Sequence, residues 1–162
     1  MKRPSLFAIL LLLASVETAS AVEFEKLNAA IAKVLGTTKA MKKTVSIDGK
    51  NADVFYAKDG GKALAVIQKR IYEPNCTHTW VIGVDPATQK VQQIRVVEMS
   101  CPHAHPTRSN SFLDQFSGKG PADLAKLDAS ISTIAKATGS SELTTDAVKT
   151  SIKVAQSLKG KL

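Results

Sequence analysis

Apolar residues recur at Phe24, Leu27, Ile31, Val34 and Leu35, a spacing of three to four that places them on one side of a helix, and Gly36 follows as a stop. Past a Lys-rich link the pattern changes to short β-type runs. These are Thr44–Ile47, Ala52–Ala57, Ala63–Tyr72, Thr79–Asp85 and Val91–Met99. Turn residues separate successive runs, Asp48-Gly49 and Asp59-Gly60-Gly61 among them, as an antiparallel meander requires. Beyond Met99 come Pro- and Ser-containing loops and a short Phe112–Phe116 segment. Last is a helical pattern with Leu143, Val148, Ile152, Ala155 and Leu158 on or near one face. The pattern predicts an α+β fold: an antiparallel sheet with an N-terminal helix and a C-terminal helix packed on it.

The first residues follow a different logic. Lys2 and Arg3 precede an apolar run from Leu6 to Val16, and Ala19-Ser20-Ala21 is a small-x-small cleavage signal. The run is too short to span a bilayer and reads as a secretory signal peptide, residues 1–21, cleaved after Ala21. Residues 22–50 then form the N-terminal helix and a linking strand, and residues 51–162 the main domain. No later segment is predicted to cross a membrane. The expected location is the periplasm or another exported compartment.

Charge narrows the range of partners. The full chain carries +8, and removal of Lys2, Arg3 and Glu17 with the signal leaves +7. A basic exported domain suits anionic ligands or acidic partner proteins, although solubility alone also accounts for the charge. Nucleic acid is not expected, because there is no basic run and the few aromatics are not interleaved with Lys or Arg. The sequence has no Gly-x-Ser-x-Gly, His-Glu-x-x-His or Gly-x-Gly-x-x-Gly, so no catalytic template is matched.

Cys76-Thr77-His78 and Cys101-Pro102-His103 share one spacing and flank a predicted hairpin. Folding the two strands about Pro86–Lys90 brings Cys76 opposite about Cys101, within reach of a disulfide. Paired cysteines are the usual state in exported proteins. A tetrahedral Cys2His2 metal site, with His105 nearby, is the alternative. His103 and His105 lie at the mouth of the predicted sheet, where they can border a ligand.

The stretch "KATGSSELTTDAV", Lys136–Val148, raises a further question, because its hydroxyls can cap a helix or hold a phosphate. On this stretch alone, ordinary capping by Ser140 or Ser141 is the better explanation. Three stretches together, however, resemble the FMN-binding domain family, which includes flavin-carrying subunits of the Rnf complex and of the sodium-translocating NADH:quinone reductase. "WVIGVDPATQKVQQIRVVE", Trp80–Glu98, resembles that family's strand–turn–strand. "FLDQFSGK", Phe112–Lys119, resembles a second conserved segment, and Ala135–Ser141 stands where the family has Ser-Gly-Ala-Thr-x-Thr-Ser before a helix.

The resemblance implies an electron-transfer domain, rather than a self-contained enzyme with its own substrate, that binds FMN and exchanges electrons with a redox partner protein, an acidic one if the charge steers docking. Thr138, Gly139, Ser140 and Ser141 would hold the phosphate, with Lys136 and Lys119 adding charge, and the loop containing His103 and His105 would border the ring. In several members the phosphate is esterified to the Thr that corresponds to Thr138. Here Ser132, Ala135 and Lys136 replace the Asp, Ser/Thr and Gly of the attachment pattern, so FMN is expected to be held non-covalently. The family's Glu-Thr-Pro-Gly loop is replaced by "SCPHAHP", of which only Pro102 matches. The other reading is a flavin-free binding module with a metal or partner site at His78, His103 and His105.

Overall fold

A computed structural model describes residues 21–162. The expected signal peptide, except Ala21, lies outside the described residues. The element order is α1 (Leu27–Leu35), β1 (Ala40–Ile47), β2 (Lys50–Ala57), β3 (Leu64–Tyr72), β4 (Cys76–Val84), β5 (Val91–Met99), α2 (Asn110–Leu113), α3 (Leu127–Ser130) and α4 (Thr138–Leu158), with 3-10 turns between the last strand and α4. The five strands form one antiparallel sheet in the order β1-β2-β3-β4-β5. This is the α+β architecture that the periodicities predict. The boundary expected between residues 50 and 51 falls at the start of β2, and β1 belongs to the same sheet as the other four strands.

Local chemistry explains the turns and the helix stop. Ile47 pairs with Lys50, leaving Asp48 and Gly49 as a two-residue loop with φ of 51° and 74°. Positive φ at both positions is the geometry that matches the twist of the flanking strands. Gly36 ends α1 in the left-handed conformation, φ 69°, as the sequence predicts.

The two long helices cover opposite faces of the sheet. Ala30, Ile31 and Val34 of α1 pack with Ala63, Ala65 and Val81. Gly83 permits this approach, since a Cβ there would lie 3.0 Å from Val34 Cγ1. The larger core lies on the other face, where Val66, Trp80, Ile82 and Val96 meet Phe112, Phe116, Leu127, Ile152 and Leu158. Helices on both sides leave β4 buried along nearly its whole length. The buried face of α4 is rich in hydroxyls. Thr144, Thr145 and Ser151 return their O–H groups to the carbonyls four residues earlier, which satisfies them without a partner on the sheet.

Candidate functional site

The site is built at one end of the sheet, where β3 turns into β4. Tyr72 pairs with Cys76 across the turn Glu73-Pro74-Asn75. Cys76 is bonded to Cys101, with 5.4 Å between their Cα atoms. The chain then enters a 3-10 helix, Pro102–Arg108, that carries His103 on its first turn. The start of α4 meets these segments, and together they enclose a cavity of about 260 Å³ lined by the β3–β4 turn, the disulfide, His103 and residues 136–140.

The end of α4 that borders the cavity is electrostatically positive. No side chain caps it, so the first-turn N–H groups at Thr138, Gly139 and Ser140 have no side-chain acceptor. Thr138 and Lys136 are exposed at its rim. The backbone at Lys136 is left-handed, φ 66°, a conformation that glycine adopts without cost. Gly139 has a different neighbour from the one the sequence suggests. A Cβ there would collide with the Tyr72 ring, reaching its Cζ at 2.8 Å. The missing side chain therefore makes room for Tyr72, which is 52% exposed and stands over the first turn of the helix.

Beneath the cavity runs a short chain of hydrogen bonds. Ser140 Oγ is 3.0 Å from His78 Nε2, and His78 Nδ1 is 3.0 Å from the carbonyl oxygen of Cys76. A carbonyl can only accept, so Nδ1 carries a proton and, in the neutral ring, Nε2 accepts from the Ser140 hydroxyl. His78 is fully buried and stacks on Trp80, 5.4 Å between centroids. Burial pushes the imidazole below its ordinary pKa, and the hydrogen bond to Cys76 opposes this more weakly.

Of the residues expected to bind the cofactor, Lys136, Thr138, Gly139, Ser140 and His103 converge on this cavity. Three others do not. Lys119 holds the far end of β5, where its carbonyl accepts from Val91 N–H. A nine-residue strand separates that end from the cysteines, roughly 27 Å at the usual rise. His105 turns away from the cavity, since its Nε2 donates to the Met99 carbonyl and its ring meets Phe24 edge-on. Ser141 is fully buried, donates to the Ala137 carbonyl and accepts from Ile134 N–H. Neither Ser140 nor Ser141 is the helix cap, because α4 begins at Thr138, two residues ahead of Ser140.

The metal alternative loses its ligands. Both sulfurs are in the disulfide, and both ring nitrogens of His78 are engaged. Among the described residues, no group of three or more His, Cys, Asp or Glu side chains is placed to hold a metal. The sequence pattern predicts a turn after Tyr72, but it assigns neither Tyr72 nor Glu73–Asn75 to the site and does not pair His78 with Ser140. The turn was legible, because Pro74-Asn75 directly before Cys76 marks a hairpin. The His78–Ser140 bond joins residues 62 apart and had no local signal.

No protein-family model, no curated protein and no solved structure matches the chain.

Proposed function

We propose that the protein is an exported electron-transfer domain that holds FMN non-covalently, with the phosphate at the first turn of α4. The observation that carries this reading is that the Lys136–Ser140 stretch and His103, which comes from a segment distant in sequence, line the same cavity. Those are residues that the family resemblance selects, and their chemistry fits a phosphate: helix N–H groups, hydroxyls and a cation. The backbone at 136 supports the same alignment. The family pattern has glycine there, and this chain has a left-handed residue there, φ 66°.

The cavity, at about 260 Å³, falls below the roughly 300–1,000 Å³ that enclose a drug-sized ligand. In this reading the phosphate and part of the ribityl arm would enter it, and Tyr72 and His103, both exposed, would be the aromatic surfaces available to the ring. When bound, the flavin would supply the redox chemistry, and the protein would position it and set its surroundings. A mouth open to solvent suits exchange of electrons with a partner.

The test is optical. Protein purified from the exported compartment should show flavin absorption that is lost on denaturation and filtration. Stripped protein should quench the fluorescence of added FMN. Colourless protein that leaves FMN fluorescence unchanged overturns the flavin reading.

A further inference from the structure

The His78–Ser140 pair is placed to make the site at α4 sensitive to protons. Ser140 has one hydrogen to donate. With His78 neutral, the Cys76 carbonyl keeps the ring proton on Nδ1, so Nε2 claims the hydroxyl hydrogen of Ser140. Ser140 then presents only lone pairs to the cavity it lines, and these repel an anion. With His78 protonated, Nε2–H donates to Ser140 Oγ, and the hydroxyl hydrogen turns toward the cavity. We propose that a tetrahedral oxyanion binds at the first turn of α4 together with one proton, taken up by His78 and relayed as a hydrogen bond through Ser140. This rests on the anion-binding part of the reading above and is independent of whether the anion belongs to a flavin.

The surroundings of His78 favour this role over nucleophilic catalysis by Ser140. A serine nucleophile needs its histidine to protonate the leaving group. His78 is fully buried and does not line the cavity, so no leaving group can reach it. Groups face it from three directions. On β3, Arg70 is directly opposite in register, and its guanidinium is bonded to Asp146 of α4 and to Gln68 and Thr150. On β5 the opposite residue is Met99, which carries no charge. Around the cavity stand Glu73, Lys136 and His103. Asp146 already serves Arg70, so among the described residues a charge on His78 has no carboxylate bonded to it as counter-ion. An anion in the cavity would supply one. Burial, which lowers the His78 pKa, keeps the ring neutral until that anion arrives.

The experiment uses sulfate, which does not titrate over the range of interest, and follows its binding to the full protein by calorimetry between about pH 8 and about pH 5. Affinity should rise about tenfold or more on acidification, since a charge-assisted hydrogen bond is gained. Repeating the titration in buffers of different ionisation enthalpy should show proton uptake on binding. His103 is a second imidazole lining the cavity, so the same measurement on exposed His103→Gln must retain the pH dependence. Ser140→Ala should weaken sulfate binding and flatten its pH profile. Because that variant disturbs a buried bond, the His78 ring is also titrated by NMR in the unaltered protein, where saturating sulfate should raise its pKa. Absence of sulfate binding, an unchanged His78 pKa, or a pH dependence that disappears with His103→Gln overturns the proposal. FMN is titrated separately: sulfate binding without FMN binding retains the proton linkage and removes the flavin.

Discussion

Lys136 adopts a left-handed backbone with φ 66°, which costs a residue bearing a Cβ about 1–2 kcal/mol. Its side chain is exposed at the rim of the cavity, and among the described residues no hydrogen bond or ion pair to it offsets that cost. A ligand contact is a reason for lysine to stand where glycine is conformationally cheaper. Lys136→Gly should therefore separate the two roles. Relief of the backbone, less the extra freedom that glycine has in the unfolded chain, should stabilise the protein by about 0.5–1 kcal/mol. Loss of the cation should weaken FMN binding by about three- to tenfold. Lys136→Ala removes the charge and keeps the strain, so it should weaken binding to a similar extent without the gain in melting temperature. Denaturation curves and fluorescence titrations on both variants read the two effects. Equal FMN affinity in all three proteins would remove Lys136 from the site.

Among the elements, the hairpin of β4 and β5 shows what periodicity can and cannot reveal. The alternating runs locate all five strands, and the Asp48-Gly49 turn is legible to the residue. Register is less accessible. At the turn end Val84 pairs with Val91, and counting outward without interruption would place Met99 opposite Cys76. Irregularities at Thr79/Trp80 and Gly83/Val84 each shift the register, so that His78 meets Met99 and Cys101 arrives beside Cys76. The start of α4 was hidden for a related reason. A run of Thr, Gly and Ser reads as loop, yet Ser141, Thr144 and Thr145 bond back to their own helix and can be buried within it. Lys119 lies apart from the other candidates because the chain after α2 returns along β5, where Gly118 and Lys119 bond to Val91 at the end of the strand remote from the cysteines. The disulfide closes a loop of 25 residues and ties the His103 segment to the cavity. Replacing both cysteines by alanine should cost about 3.5 kcal/mol of stability on the chain-entropy account. It should also weaken FMN binding, because the 3-10 helix at Pro102 is no longer fixed against β4. Thiol titration of the denatured, unreduced parent protein should find no free thiol.

At the scale of the whole molecule, the fold separates the two packed faces of the sheet from the candidate site. One face of the sheet is closed by α1 and the other by α4, and the candidate site lies at neither face but at the edge where the β3–β4 turn, the disulfide and the start of α4 meet. Next to that edge Ile71 and Tyr72 are both 52% exposed, an apolar rim on a molecule whose chain beyond residue 21 carries +7. If the site holds FMN as proposed, a positive molecule should attract anionic electron acceptors and repel cationic ones, and the effect should weaken as ions screen it. The FMN-loaded, reduced protein can be mixed in a stopped-flow instrument with ferricyanide and, separately, with a cationic cobalt complex. Raising ionic strength from about 0.01 M to about 0.15 M shortens the Debye length from roughly 30 Å to roughly 8 Å. Oxidation by ferricyanide should slow, and oxidation by the cobalt complex should accelerate. Opposite slopes of this kind would assign the charge to steering of an acidic partner. Rates that do not change with salt for either reagent would leave the positive charge with a role in solubility only, and would direct the search for a partner toward the apolar rim at Ile71 and Tyr72.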